Sequence, residues 1–225
     1  MNPEPTALAT VRTRIKVAAQ QAGSGPVKLL AVSKTRPASD LRRLAELGQQ
    51  HFGENYIQEA LGKQRELADP ELQWHFIGPL QSNKCRDVAQ HFDWLESLDR
   101  RKLIEPLSRF RPDSRGPLNV LIEVNIDSEP GKSGCAPEQM PTLAELIAKA
   151  PALRLRGLMA IPAPHANLAL RQAAFQRMRK LFDQLGEKYP QLDTLSMGMS
   201  DDFEAAIAAG ATEVRIGTRL FGPRN

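Results

Sequence analysis

The chain has 225 residues, 41% hydrophobic and 25% charged, a net charge of +4 and a pI near 9.2. This is an ordinary globular mix, long enough for a large core, and it excludes a disordered or low-complexity chain. Positive charge suits an anionic small ligand. The basic clusters Arg42-Arg43, Arg100-Arg101-Lys102 and Arg177, Arg179, Lys180 carry no interleaved aromatics, so a stacking platform for nucleic acid finds no support.

In residues 1–23, Leu8, Val11, Ile15 and Ala18/Ala19 recur at helical spacing, interrupted by Arg12, Arg14 and Lys16. There is no continuous apolar stretch of a secretory leader, and an amphipathic helix packed on the domain is expected. Strand-like runs follow at 28–34, 51–55, 73–78, 94–98, 118–125, 153–161, 194–199 and 213–217. Helical patterns lie between them at 39–49, 56–67, 83–91, 100–110, 137–149, 167–188 and 201–209. Strands alternating with helices build a parallel sheet, and eight of them close a (β/α)8 barrel. The competing open, doubly wound sheet usually has a glycine-rich turn after its first strand. Here that strand runs into Ser33-Lys34-Thr35-Arg36-Pro37, without a glycine. The predicted class is therefore α/β, a single (β/α)8 TIM barrel in one domain over residues 1–225, with an extra N-terminal helix.

Cys85 and Cys135 are too few for a disulfide framework and lack zinc-ligand spacing, so no metal site is expected. They read as two ordinary thiols in a reducing compartment. No run approaches transmembrane length. A cytoplasmic protein without membrane contact is expected.

In a parallel barrel the functional residues sit at the C-terminal strand ends. Leu29-Leu30-Ala31-Val32-Ser33-Lys34 is an apolar run ending in an amine, with Leu30, Val32 and Lys34 on one face. Such a lysine either snorkels outward or sits in a low-dielectric setting where its pKa falls and it condenses with an aldehyde. The seventh and eighth strand ends, Ser196-Met197-Gly198-Met199-Ser200 and Val214-Arg215-Ile216-Gly217-Thr218, combine glycines with hydroxyls. Barrels frequently bind phosphate at these two loops. The alternative is simpler: Ser200 or Asp201 caps a helix and Gly217 makes a turn. Arg215 should point into the barrel beside Glu213, where it either pairs with Glu213 or Glu123 or bonds a ligand. Asn55 either orients a ligand oxygen or caps the next helix. His75 reads as a packed core histidine. Lys132, past the fifth strand, reads as an exposed loop lysine, with a second rim amine as the other option.

An aldehyde-seeking lysine, a phosphate cradle and an inward arginine together suggest pyridoxal 5'-phosphate (PLP). The chain resembles the YggS/PROSC family of PLP homeostasis proteins. The resemblance lies in Ala31-Val32-Ser33-Lys34-Thr35, Phe52-Gly53-Glu54-Asn55-Tyr56, Trp74-His75-Phe76-Ile77-Gly78-Pro79-Leu80-Gln81-Ser82-Asn83-Lys84, Leu155-Arg156-Gly157-Leu158-Met159-Ala160-Ile161-Pro162, Ser196-Met197-Gly198-Met199-Ser200-Asp201-Asp202 and Val214-Arg215-Ile216-Gly217-Thr218. It implies a barrel of the alanine-racemase N-terminal type and PLP as a Schiff base on Lys34. It also implies a phosphate surrounded by Ser196, Ser200, Gly217 and Thr218, with Arg215 facing the pyridine nitrogen. Asn55 and Met197 complete the expected cofactor-binding set. Arg219 departs from the small residue expected there; its side chain adds phosphate affinity or points to solvent.

The expected role is storage, buffering or delivery of PLP, with PLP-dependent apoenzymes as recipients, by a monomer with no strong catalysis. The alternative is a single-domain PLP-dependent amino-acid racemase. With the sequence ending soon after the eighth strand, the further domain that supplies the racemases' second acid/base is not expected.

Overall fold

The computed structural model describes residues 5–163 and 168–223. The expected N-terminal helix therefore falls partly, at residues 1–4, outside the described residues, as does the start of the helix expected at 167. Eight parallel strands close a barrel in sequence order, β1 to β8, with β1 hydrogen-bonded to β8. They are β1 (Lys28–Val32), β2 (His51–Glu54), β3 (Gln73–Phe76), β4 (Trp94–Leu98), β5 (Leu118–Glu123), β6 (Leu153–Met159), β7 (Thr194–Ser196) and β8 (Glu213–Ile216). The helices are α1 (Pro5–Gln21), α2 (Ala38–Glu46), α3 (Ile57–Leu67), α4 (Cys85–His91), α5 (Ile104–Phe110), α6 (Met140–Ala148), α7 (Leu168–Lys188), α8 (Phe203–Ala208) and α9 (Thr218–Phe221). The predicted α/β barrel with its extra N-terminal helix is the observed architecture.

Alternation along each strand sorts the side chains into two layers. Leu29 and Ala31, Phe52, Trp74 and Phe76, Leu95, Val120 and Ile122, Leu195, Val214 and Ile216 are buried outside the sheet, in one apolar core with the helices. The opposite set points to the barrel axis: His51, His75, Trp94, Glu96, Leu121, Met159, Ser196, Glu213 and Arg215. Pairing of β1 with β8 sets Lys28 opposite Glu213 and Leu30 opposite Arg215. A register shift in β6 interrupts the alternation at Gly157, so that Leu155 and Leu158 both face the helices. Only glycine fits there: φ is +152°, and a Cβ would lie 1.9 Å from the Thr194 carbonyl oxygen.

Most strands end earlier than the sequence predicts, the first at Val32 and the seventh at Ser196. The expected helices at 83–91, 100–110 and 137–149 each begin as a 3-10 turn before becoming α-helical. The short helix α9 was absent from the predicted elements; four residues carry no helical period.

Helix α1 buries Leu8, Val11 and Ile15 against the barrel and packs on α8 and α9. Each such side chain contributes about 1.5–3 kcal/mol. Arg14 ties it to α8, its Nε donating to Glu204 at 2.8 Å. Arg12 donates to the Leu47 and Gly48 carbonyls at 3.0 and 2.7 Å, occupying free acceptors after α2. Among the described residues no helix is long and apolar enough to cross a membrane.

Candidate functional site

At the C-terminal rim a cavity of about 230 Å³ opens between β1, β2, β7 and β8. Its lining includes Lys34, Asn55, Ser200, Arg215, Gly217 and Thr218. Residues 34, 55, 200, 215, 217 and 218 thus meet at one place, at the strand ends where the sequence located them. Val32, Ile77, Ile161 and Met199 supply its apolar walls.

Lys34 is half-buried and sits in the turn after β1, rather than in the strand itself. Neighbours fix this turn on each side. The Ser33 amide donates to the Gly53 carbonyl at 3.0 Å, and its hydroxyl donates to Glu54 Oε1 at 2.6 Å. Thr35 has a left-handed φ of 65°, costly for a β-branched residue, and its amide donates to Glu59 Oε1 at 2.6 Å. Arg36 reaches the Gly222 and Pro223 carbonyls at 2.5 and 2.8 Å. The two glutamates are held in turn by Lys63, only 5% exposed, whose ammonium donates to Glu54 Oε1, Glu59 Oε1 and the Ser33 carbonyl at 2.6–2.7 Å. Burial pushes the Glu54 carboxyl pKa up, while Lys63 and Ser33 pull it down.

Asn55 directly follows β2 and lines the cavity. Its Oδ1 is buried and has no hydrogen-bond partner among the described residues. Gly78 lets the β3 end pass directly over this segment: a Cβ there would lie 2.3 Å from the Asn55 carbonyl oxygen. The other wall is the 197–202 segment, tied by the Met199 amide to Asp202 Oδ1 at 2.7 Å and by the Asp202 amide to the Met199 carbonyl at 3.1 Å. Gly217 precedes α9, whose first turn begins at Thr218. First-turn amides have no intrahelical acceptor, so this corner of the cavity suits an anion. Arg219 turns back to the Ser200 carbonyl and lies 3.8 Å from Asp201, bridging the two loops at the rim.

Arg215 is 4% exposed and forms the floor of the cavity. Its guanidinium donates to Ser196 Oγ at 2.8 Å and to the Ala160 carbonyl at 2.7 Å. It makes no direct ion pair with Glu213 or Glu123, although the expected inward position beside Glu213 holds. Glu123 is buried at the end of β5, and burial together with nearby Asp99 pushes its pKa up to about 7 against the pull of Arg215.

Ser196 and Met197 do not line the cavity. Ser196 points to the axis one layer below the rim, where it donates to Glu96 Oε2 at 2.8 Å. Met197 alternates outward and is fully buried in the helix-facing core. His75 is a packed interior histidine, as expected: it stacks on Trp94 with ring centroids 5.0 Å apart and planes 4° from parallel. Burial lowers its pKa to about 4. Lys132 is exposed and pairs with Glu129. Cys85 and Cys135 are both free and buried, their thiols pushed up to about 11 and about 12, chiefly by burial. Sequence reasoning missed Glu54, Glu59, Lys63 and Glu96. The i, i+4 spacing of Glu59 and Lys63 was a signal of pairing, but it ordinarily marks a surface pair.

The alanine racemase N-terminal domain family matches residues 7–225. A pyridoxal phosphate homeostasis protein of Pseudomonas aeruginosa is 58% identical over 220 residues, covering 97% of this chain and 94% of the relative. PipY of Synechococcus elongatus, solved without PLP, superposes with a TM-score of 0.86 at 38% identity, covering 97% of this chain and 99% of that one. The same protein with PLP bound gives 0.82 over 94% of this chain and 100% of that one, also at 38% identity. With residues 34, 55, 200, 215, 217 and 218 gathered at one rim of such a barrel, the chain belongs to the YggS/PROSC family of pyridoxal phosphate homeostasis proteins, built on the alanine racemase N-terminal domain.

Proposed function

We propose that this protein binds pyridoxal 5'-phosphate covalently through Lys34 and serves in intracellular PLP homeostasis by storing, buffering or delivering it. The observation that carries the reading is the convergence of one amine, one inward guanidinium and one hydroxyl- and glycine-bearing corner on a single cavity. The residues fit the group. Asn55 Oδ1 is a buried acceptor awaiting a donor. Gly217 allows close backbone approach, since even a Cβ there would press on the Val32 carbonyl at 3.2 Å. Ser200 and Thr218 would bond the phosphate, Lys34 would carry the cofactor, and Arg215 would face the pyridine nitrogen. Ser196 enters this reading through the Arg215 bond, and Met197 as packing beneath the 198–202 loop.

The cofactor supplies an aldehyde that condenses with an amine, losing one water, and a ring that can draw electrons. Arg215 limits the second property. A permanent cation beside the ring nitrogen disfavours its protonation, and an unprotonated ring is a weak electron sink. Such a site holds PLP better than it stabilises carbanions. Racemisation also calls for an acid/base facing Lys34 across the substrate. Among the described lining residues the other titratable groups are Arg215, a permanent cation, and Asp201, whose side chain is 91% exposed. That wall favours holding over racemisation.

PLP-dependent apoenzymes are the recipients this reading implies, and a monomeric, cytoplasmic holder in one domain is its simplest form. The test is a visible absorption spectrum of the PLP-treated protein before and after borohydride, followed by peptide mapping. The expected adduct is on Lys34, and Lys34→Ala abolishes it. An adduct on another lysine, or amino-acid racemisation at ordinary enzymatic rates, would overturn the reading.

A further inference from the structure

Beneath the cavity the barrel axis carries a line of polar side chains that holding a ligand at the rim does not by itself require. It starts at His51, which borders a second cavity of about 490 Å³ between α1 and the beginnings of β1 and β2. His51 Nδ1 is 3.0 Å from His75 Nε2, and His75 Nδ1 is 2.6 Å from Glu96 Oε1. Glu96 Oε2 accepts from Ser196 at 2.8 Å, and Ser196 accepts from Arg215 at 2.8 Å. The line ends in the rim cavity, at Arg215. Five side chains from β2, β3, β4, β7 and β8 thus join the two ends of the barrel.

The hydrogens can be placed. Arginine only donates, so the single hydroxyl hydrogen of Ser196 must go to Glu96. Burial keeps His75 neutral at ordinary pH, with one N–H. That hydrogen belongs on Nδ1, toward Glu96, which leaves Nε2 to accept from His51. Both arms of the line therefore converge on Glu96 as an acceptor. Arg215 reaches the Glu96 carboxyl through one hydroxyl, and a buried guanidinium without a partner is costly.

We propose that Glu96 is a positioning residue for the rim site: through Ser196 it fixes the Arg215 guanidinium and supplies its counter-charge. The proposal rests on reading the rim cavity as the PLP site. Around Glu96 stand His75 from β3, Ser196 from β7, Glu213 and Arg215 from β8 and Lys28 from β1; burial pushes its carboxyl pKa up, while Arg215, Ser196, Glu213 and Lys28 pull it down. Glu123 from β5 acts on Arg215 from another side. Donor atoms of His75, Glu96 and Glu213 lie within 4.8 Å of one another, a spacing that could also suit a metal ion. The Lys28 ammonium, 3.4 Å from Glu213, already brings a positive charge to that cluster.

The test compares full-length wild type with Glu96→Gln, Glu96→Asp and Ser196→Ala. In Glu96→Gln, borohydride mapping still finds the adduct on Lys34, but the Kd for PLP rises about tenfold, the scale of a hydrogen bond to a charged group. The pH midpoint of its visible band also moves down, because a buried negative charge that favoured a protonated cofactor is gone. Glu96→Asp keeps the charge and returns the midpoint toward wild type. Ser196→Ala cuts the link without touching Glu96, raises Kd similarly, and decides the matter if Glu96→Gln does not fold. Unchanged Kd and midpoint in Ser196→Ala, or in a folded Glu96→Gln, overturn the proposal. A wild-type protein that takes up no PLP overturns the cofactor reading instead. In that case NMR exchange of the Arg215 guanidinium protons in the ligand-free protein still reads the link: faster exchange in Ser196→Ala supports it, and an equal rate overturns it.

Discussion

The two sides of the sheet obey different rules. Outside, between strands and helices, residues such as Leu44, Phe52, Leu95, Phe175 and Phe203 form one continuous apolar layer. Inside, along the axis, the apolar set shrinks to residues such as Leu30, Trp94, Leu121 and Met159, and the remaining space is filled largely by histidine, glutamate, serine and arginine. Apolar side chains need only volume and contact, so the outer layer tolerates many partners. A buried charge needs a particular partner at a particular distance, so the axis is specified pair by pair. The contrast also explains where a rim site can arise: its floor is the top of a charged column, already charged and hydrogen-bonded.

One charged network intrudes on the outer side, and breaking it should have the largest effect. Lys63→Met leaves Glu54 buried without its cation and is expected to cost about 3–5 kcal/mol in denaturant unfolding. Adding Glu54→Gln to that variant should recover much of the loss; no recovery would mean that Lys63 acts through its alkyl stem. A purely apolar deletion comes next. Leu44→Ala, at a fully buried position, should cost about 3 kcal/mol by leaving a cavity, with the rim cavity and ligand uptake unchanged. Loss of ligand uptake in that variant would show that the two layers are not independent.

The smallest effect is a pH slope. His51 and His75 both have pKa values lowered to about 4, chiefly by burial. Between about 4 and 6.5 the unfolded chain binds protons that the folded chain refuses, so these groups make stability fall as pH drops through that window. Glu123, raised to about 7, works the other way: the folded chain keeps a proton the unfolded one has lost, so its share falls as pH rises from 4.5 to 7. Glu54, Glu96 and Glu213, also pushed up by burial, act in the same direction as Glu123, and each proton contributes at most about 1.4 kcal/mol per pH unit. His75→Gln should flatten the acid-side fall between pH 4 and 6.5 in denaturation curves. An unchanged slope would mean that the axis takes up protons without unfolding.

Alternation and strand count carried the fold: they placed Arg215 inward beside Glu213 and His75 in the core, and located the rim. They could not say what an inward residue meets. Glu96 and Ser196 are 100 positions apart and touch only because the sheet closes. Ser196 and Met197 were grouped with the rim because residues 194–199 read as one strand in the sequence; where the ladder stops, at Ser196, is set by the neighbouring strands. Lys63 was illegible for a related reason. Its helical spacing from Glu59 was visible, but its burial comes from the Ser33–Thr35 turn folding over it.

The closing seam of the barrel has a consequence for biosynthesis. Strand β1 pairs with β8, α1 packs on α8 and α9, and Arg36 is bonded to the carbonyls of Gly222 and Pro223. The α1–β1 segment pairs with β2 early but must wait for the later-made α8, β8 and α9 before its other native contacts form, and such long sequence separations slow folding. A nascent chain stalled before β8 carries Lys34 but has no floor or phosphate corner to go with it. Ligand capture should thus report completed synthesis, and a reactive aldehyde should find no organised seat on a ribosome-bound fragment.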